Sequence, residues 1–297
     1  MPSRRGVLSA GLPACAPLPA LIIGIVAMRQ LGVSTVAWSI NIAATAVGLL
    51  IWALGRRLPP PARGGTRAFL AVASLATILL PFASDGMLGV YRWISLGGFR
   101  LHASAIAAPL IILCVAAAAS QSTGRALAIA ATGALILALQ PDAAQATSFA
   151  AACAVLLVLA RPRQMGKVVL SVVVLLAVSA AAFIRHDPLP PVAHVEEIFE
   201  VVASRGVGWA AMATVALLLL PLPFFAAWRR HRHSTALALG VYVAMTVLAP
   251  AWGTFPVPVM GAGASPILGY FIALAAGIGE QQKRKEDRIA PVLPGRA

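Results

Sequence analysis

Residues 34–54 read STVAWSINIAATAVGLLIWAL, and Gly55-Arg56-Arg57 follows at once. The run carries no charge, and its length matches the roughly 17 to 25 apolar residues that a helix needs to cross a hydrocarbon core. Lipid offers no water to backbone amides, so a run of this kind is expected to be a helix. The pattern then repeats along the chain, with ten spans expected near 12–29, 34–54, 68–84, 103–119, 125–139, 143–160, 167–184, 207–228, 235–252 and 263–279. The fifth is short and the first contains Pro13, Pro17 and Pro19, so these two have the softest boundaries.

Composition agrees with this expectation. Of 297 residues, 60% are hydrophobic and 11% charged, and the mean hydropathy is +0.89. These values exclude a disordered chain, a collagen and an ordinary soluble domain, in which about a quarter of residues are charged. The formal net charge is +14, from 23 Lys plus Arg against 9 Asp plus Glu. So basic a chain ordinarily raises nucleic acid as a partner. Here the charge is sorted by side instead. With a cytoplasmic N-terminus, 18 basic residues fall inside and only Arg29, Arg92, Arg100, Arg185 and Arg205 fall outside. That bias predicts both termini in the cytoplasm and no nucleic acid partner.

The expected fold is therefore all-α, a polytopic integral membrane protein of the bacterial inner membrane in contact with its lipids. One transmembrane domain covers 1–282, with an outer amphipathic segment at 187–205 and a basic cytoplasmic tail at 283–297. Arg4 and Arg5 before an apolar run have the layout of a signal peptide. No clear small-residue cleavage site follows, and the second span comes at once, so the run reads as a retained first helix. Cys15, Cys114 and Cys153 lie in apolar runs at irregular spacing and read as small hydrophobes, with no metal site. Gly269, Ala273 and Gly277 mark a close-packing face of the last helix.

Chemistry in such a chain is sought where polar groups sit near lipid, and almost all of these lie in four outer segments. In 85–104, Gly97 and Gly98 supply a turn, while Arg92, Trp93 and Arg100 offer cations beside an aromatic plate. The same residues also suit an interfacial anchor. In 139–146, Leu139-Gln140-Pro141-Asp142 breaks the chain between two helices, and Asp142 serves either as a helix cap or as a functional carboxylate. In 185–206, apolar residues at helical spacing predict a short surface helix from about 192, with Glu196 and Glu200 one turn apart on one face. Either glutamate could have a raised pKa suited to a general base, or both belong to a solvated acidic face. His194 has no second histidine at metal-ligand spacing. In 253–266, Pro256, Pro258, Gly261, Gly263, Ser265 and Pro266 make a broken entry into the last helix, able to offer backbone donors to an anion.

The order of these segments resembles the SEDS family, the FtsW- and RodA-like proteins of cell-wall synthesis. That family's pattern runs G-x-x-RWI-x-LGG-F-x-x-QPSE, LQPD-x-GTA, LPEAHTDFIF and LPLPF-x-SYGGSS. The counterparts here are Gly89 with Arg92, Trp93, Ile94, Leu96, Gly97, Gly98 and Phe99, then Leu139 to Asp142 with Ala146. Ala193 to Phe199 follow, and after them Pro256, Pro258, Gly263 and Ser265. The resemblance implies ten spans and a glycosyltransferase polymerising lipid II, an undecaprenyl-linked disaccharide, at the outer face, in division or cell-shape maintenance. It also implies a class B penicillin-binding protein as partner. The family's essential aspartate aligns with Glu196, which would be the catalytic base. Arg92, Trp93, Arg100, Asp142, His194, Glu200 and Ser265 would bind substrate. No cofactor is implied with certainty, and a divalent cation stays open.

Departures are equally plain. QPSE is His102-Ala103-Ser104-Ala105, the catalytic Asp is Glu196, and the long outer loop after the seventh span is reduced to a few residues, with Glu196 only ten positions after His186. Two other functions therefore stand beside polymerisation: an inactive scaffold for a penicillin-binding protein, and a transporter of a small solute or lipid carrier. The spans carry almost none of the ionisable groups that coupled transport uses.

Overall fold

The structure, a computed structural model, describes residues 11–57, 64–160, 165–185 and 187–289, excepting the side chains of 279–289. Arg4, Arg5, Arg63, Arg161, Arg163, His186 and the tail from residue 290 lie outside the described residues.

The chain is an all-helical polytopic membrane protein with one small hairpin. Its helices are α1 (Leu18–Gln30), α2 (Thr35–Gly55), α3 (Gly64–Leu79), α4 (Ala103–Ala119), α5 (Thr123–Leu139) and α6 (Ala143–Ala160). They continue as α7 (Met165–Ile184), α8 (Ile198–Ala203), α9 (Val207–Leu218), α10 (Leu222–His231), α11 (Ser234–Leu248) and α12 (Ala264–Ile289). Among the described residues, seven helical segments are long and apolar enough to cross a membrane: Gly11–Gln30, Thr35–Gly55, Gly65–Ala83, Ala143–Ala160, Met165–Ile184, Val207–His231 and Ser234–Ala251. Shorter apolar helices at Ala103–Ala119, Thr123–Leu139 and Ala264–Ile278 stand where three more spans are expected. Large apolar side chains on α2, α3 and α7, such as Leu50, Phe69 and Leu170, face outward, as they would toward lipid. α4 is buried along nearly its whole length. A helix apolar all round belongs in the interior.

Proline explains most differences between expected and observed boundaries. It lacks an N–H and clashes with the carbonyl four residues earlier, so it fits best near a helix start, Pro109 inside α4 being an exception. Pro17 and Pro19 accordingly fall at the first turn of α1. Pro221 divides the expected 207–228 span into α9 and α10. Pro81 and Pro250 tighten two helix ends into 3-10 turns, at Leu80–Ala83 and Ala249–Ala251.

One local expectation is extended and another is corrected. Residues 93–102 form a β-hairpin, β1 (Trp93–Leu96) against β2 (Phe99–His102), with Trp93 opposite His102 and Leu96 opposite Phe99. Gly97, at φ +60°, makes the two-residue turn, a conformation that glycine adopts without steric cost. The surface helix expected from about 192 begins only at Ile198, after turns over 193–196. The Glu196 carboxylate accepts the Val192 N–H at 2.9 Å and closes the segment on itself before the helix starts. Glu196 and Glu200 therefore do not share one helix face.

α4 and α12 both lie deep in the bundle. α12 lies against α2 and α4, and α6 packs on α7 and α11. The small-residue stripe works as expected. A Cβ on Gly269 would fall 1.9 Å from the Ala105 carbonyl oxygen, and one on Gly277 would meet Leu239. Gly269→Val is expected to lower the thermal midpoint of the purified protein by overpacking α12 on α4, at a cost of about 1–3 kcal/mol. Gly208→Ala, in α9 with nothing within 4 Å of the new Cβ, should leave the midpoint unchanged or slightly raised. Equal midpoints for the two variants would contradict this packing.

Candidate functional site

All four outer segments meet around one cavity of about 430 Å³, a volume typical of small-ligand sites. The walls are largely apolar, from Leu189, Val192, Val195, Leu220, Val243 and Val259 among others. Arg92, Trp93, Arg100, His102, Asp142, Gln145, Glu196, Tyr242 and Ser265 add polar groups.

Arg92 precedes β1 and is 5% exposed. A buried guanidinium must be paired, and its Nη2 lies 2.7 Å from Asp187 Oδ2 and also donates to the Pro141 carbonyl. Asp187 is braced in turn by the Leu189 N–H on its Oδ1 at 3.1 Å. One side chain thus ties the hairpin to the α5–α6 turn and to the segment after α7. Arg100 is exposed at the cavity edge, where Nη1 donates to the Met87 thioether at 3.0 Å, a weak acceptor.

Asp142 caps a helix and also lines the cavity. Its Oδ1 accepts the Gln145 N–H at 3.3 Å, capping α6. Its Oδ2 accepts from Ser104 Oγ at 3.1 Å and lies 3.4 Å from His102 Nε2. His102 Nδ1 is in turn 2.9 Å from Ser104 Oγ, and Trp93 stands edge-on to the imidazole at 6.0 Å between centroids. Burial lowers the His102 pKa, with Asp142 opposing and Arg92 reinforcing that shift.

Glu196 lies on the 187–197 segment, which crosses the cavity. Burial raises its pKa above the usual glutamate range, against the opposing pull of the Val192 N–H and Arg92. A carboxylate that is reluctant to ionise holds a proton well, as a general base requires.

The broken entry to α12 is held from two sides. The Val195 carbonyl accepts the Val257 N–H at 3.1 Å, and the His194 carbonyl accepts the Ala262 N–H at 2.8 Å. A Cβ on Gly261 would stand 2.7 Å from the Val195 carbonyl oxygen, so the contact needs glycine. From the other side, Asn41 of α2 donates Nδ2 to the Gly261 carbonyl and accepts the Gly263 N–H on Oδ1, each at 2.9 Å. Ser265 Oγ accepts the His102 N–H at 2.8 Å, joining this loop to the hairpin.

Of the residues singled out in the sequence, Arg92, Trp93, Arg100, Asp142, Glu196 and Ser265 line the cavity. His194 contributes its backbone to the loop contact, and Glu200 lines a neighbouring depression with Glu196 and Glu197. Sequence reading passed over Asn41, His102, Asp187, Gln145 and Tyr242. Asn41 had a signal, being the one carboxamide in an uncharged 34–54 run. His102 had one too, standing where the SEDS pattern carries glutamine. Among the described residues, no group of three or more His, Cys, Asp or Glu side chains is placed to hold a metal.

Fold and site together define a polytopic membrane protein with a largely apolar cavity that carries a few polar groups and is enclosed by its loops. The sequence model of the cell cycle protein family of FtsW, RodA and SpoVE matches residues 20–212, about two thirds of the chain. The chain belongs to this family, and it is a multi-pass protein of the bacterial cytoplasmic membrane. No curated protein matches it. The rod shape determining protein RodA of Thermus thermophilus is 21% identical, with 95% of this chain and 98% of that chain covered and a TM-score of 0.70. An aspartate-to-alanine mutant of that protein gives 20%, 95%, 98% and 0.69. A chain of a peptidoglycan synthase complex, described as coordinating polymerization and crosslinking, is 18% identical over 93% of this chain and 98% of that one, with a TM-score of 0.64.

Asn41→Leu should strip the buried Gly261 carbonyl and the half-buried Gly263 N–H of their partner, at about 1–3 kcal/mol for the buried one. The expected result is faster amide exchange across 257–263 with the spanning helices still protected. Unchanged exchange there would show that the loop does not depend on α2.

Proposed function

We propose that this protein is a SEDS-type peptidoglycan glycosyltransferase, polymerising lipid II at the outer face of the membrane through ten spans with both termini cytoplasmic. The observation that carries the proposal is the meeting of the four family segments around one cavity, with Glu196 on one wall and Arg100 at the edge.

In this reaction an acceptor sugar hydroxyl attacks the anomeric carbon of a lipid-linked donor. A new glycosidic bond forms, the bond from that carbon to the diphosphate oxygen breaks, and undecaprenyl diphosphate leaves. Glu196 takes the hydroxyl proton, a role that its burial supports. Arg100 meets the diphosphate, because phosphate oxygens displace a thioether readily from a guanidinium. Arg92 is already committed to Asp187 and Pro141, so it acts mainly by positioning the walls. Trp93 lies on the same wall as an apolar plate for sugar or prenyl chain. Membership of the family, together with the likeness to a chain of a peptidoglycan synthase complex, supports a class B penicillin-binding protein as partner.

One observation favours a second function. Only residues 185–197 separate α7 from α8, far fewer than the family's outer loop, as befits a scaffold that keeps the helical body and the partner.

The test is polymerisation of lipid II by the purified protein with its partner. Glu196→Gln should reduce the rate by roughly 10²- to 10⁴-fold, the usual contribution of a general base. The base works only when ionised, and its folded-state pKa is raised. Wild-type activity should therefore rise with pH through an acidic limb lying above the normal glutamate range, and that limb should vanish in the variant. Polymerisation unaffected by Glu196→Gln removes Glu196 from the mechanism. Absence of product from wild type with partner bound favours the scaffold.

A further inference from the structure

The hairpin that walls one side of the cavity has two unlike faces. Side chains alternate across a strand, and directly opposed residues share a face. Trp93, Ser95, Arg100 and His102 therefore lie on one face, in keeping with the edge-on contact of the Trp93 and His102 rings. Trp93, Arg100 and His102 line the cavity. The other face is made by Ile94, Leu96, Phe99 and Leu101, every one of them apolar. Ile94 and Leu101 are half-buried, whereas Leu96 and Phe99, opposed at the tip, are each 58% exposed. Leu88, in the turn before the hairpin, is 73% exposed. A hairpin of such short strands is marginal in water, and an apolar back turned to water would make it more so.

The attachment of the hairpin sets its height. β2 runs straight into α4, one of the expected spans, with His102 as the last residue before the helix. α4 has 17 residues, so it is about 26 Å long, shorter than the roughly 30 Å hydrocarbon core. Its outer end, and β2 with it, thus lies where the acyl chains end and not above the headgroups. β1 touches the 3-10 turn Leu80–Ala83 that follows α3, and Phe82 stacks on Tyr91 at 5.2 Å between centroids. Leu79, Leu80 and Phe82 are themselves exposed at that end of α3, so the apolar back of the hairpin continues the surface that α3 turns to lipid. Complete immersion does not suit a two-stranded ribbon, because its outer edges carry backbone groups that no third strand pairs. The position that satisfies both demands is the interface, with the backbone at headgroup level and one face of side chains among the acyl chains.

We propose that the 93–102 hairpin seats its apolar face, Leu96 and Phe99 foremost, in the outer leaflet of the membrane, so that lipid supports one wall of the cavity from outside. The occupant of this face is lipid acyl chain, because the face is continuous with the lipid-facing side of α3 and stands at the depth where acyl chains begin. The inference is independent of the reaction in the cavity. Its consequence is that the cavity edge beside Arg100 stands level with the lipid phosphates, where a lipid-linked ligand reaches it without leaving the leaflet.

The experiment is spin labelling of the full-length protein in nanodiscs of phosphatidylethanolamine and phosphatidylglycerol, with no partner protein added. Cys15 is exposed, whereas Cys114 and Cys153 are buried. Cys15→Ser therefore gives the background for Leu96→Cys and Phe99→Cys, with Ser95→Cys from the opposite face and Leu50→Cys from the lipid side of α2 as references. All four positions are exposed, so each variant should keep the thermal midpoint of its background. Collisions of the label with oxygen, which dissolves among acyl chains, are compared with collisions with a water-soluble nickel chelate. The oxygen-to-nickel ratio at 96 and 99 should exceed that at 95 several-fold and approach that at 50. Bimane on the same cysteines should be quenched by lipids brominated high on the acyl chain, a measure of the same depth from the lipid side. A ratio at 96 and 99 equal to that at 95, or no quenching by brominated lipid, overturns the proposal. Nickel access at 96 and 99 that is lost only when a class B penicillin-binding protein is added also overturns it, and makes the face a protein-docking surface.

Discussion

A guanidinium held out of water on the outer side of the bundle is the constraint on which the site depends. Arg92 cannot be buried without partners, because an unpaired charge there costs several kcal/mol. Its partners are Asp187 and the Pro141 carbonyl, each from a different outer segment. Burying this one cation therefore draws the hairpin, the α5–α6 turn and the segment after α7 together. The fourth segment is secured without charge, by Ser265 on the hairpin, by backbone bonds to 194–195 and by Asn41 from within the bundle. Irregular backbone near the membrane is tolerated only when protein satisfies it. Here a single carboxamide on α2 does much of that.

Those ties give the cavity its electrical character. On the sidedness that the charge bias predicts, the outer side carries five basic and six acidic residues and the basic excess lies inside. Within the cavity the charges are unevenly committed. Arg92 is neutralised by Asp187, Asp142 is shared between a helix cap and the His102–Ser104 pair, and Glu196 is braced by its own turn. Arg100 remains at the edge, where among the described residues a thioether is its hydrogen-bond acceptor.

What could be read from the chain alone follows from how local each signal is. Hydropathy over about 20 residues marks a span wherever it lies, and charge bias is a sum that tolerates errors, so the spans and the grouping of polar residues into four segments were visible. The hairpin at 93–102 was half visible, since Gly97 and Gly98 announced a turn but the flanking strands are only four residues each. The onset of α8 was misplaced because apolar spacing at 192, 195 and 199 mimics a helix, while Glu196 takes the Val192 N–H and holds that stretch as turns. Asn41 and His102 were missed for a different reason. The signal each carried, a lone carboxamide in an uncharged run and an imidazole in place of a glutamine, named no partner, and their partners lie 220 and 40 positions away.

The most direct test of the account is the structure of the protein bound to an undecaprenyl diphosphate-linked sugar. Density for the diphosphate between Arg100 and His102, with the sugar toward Glu196 and the prenyl chain leaving along the apolar wall, is the result predicted. A ligand lodged elsewhere on the bundle, with the cavity still closed around the Arg92–Asp187 pair, would contradict it.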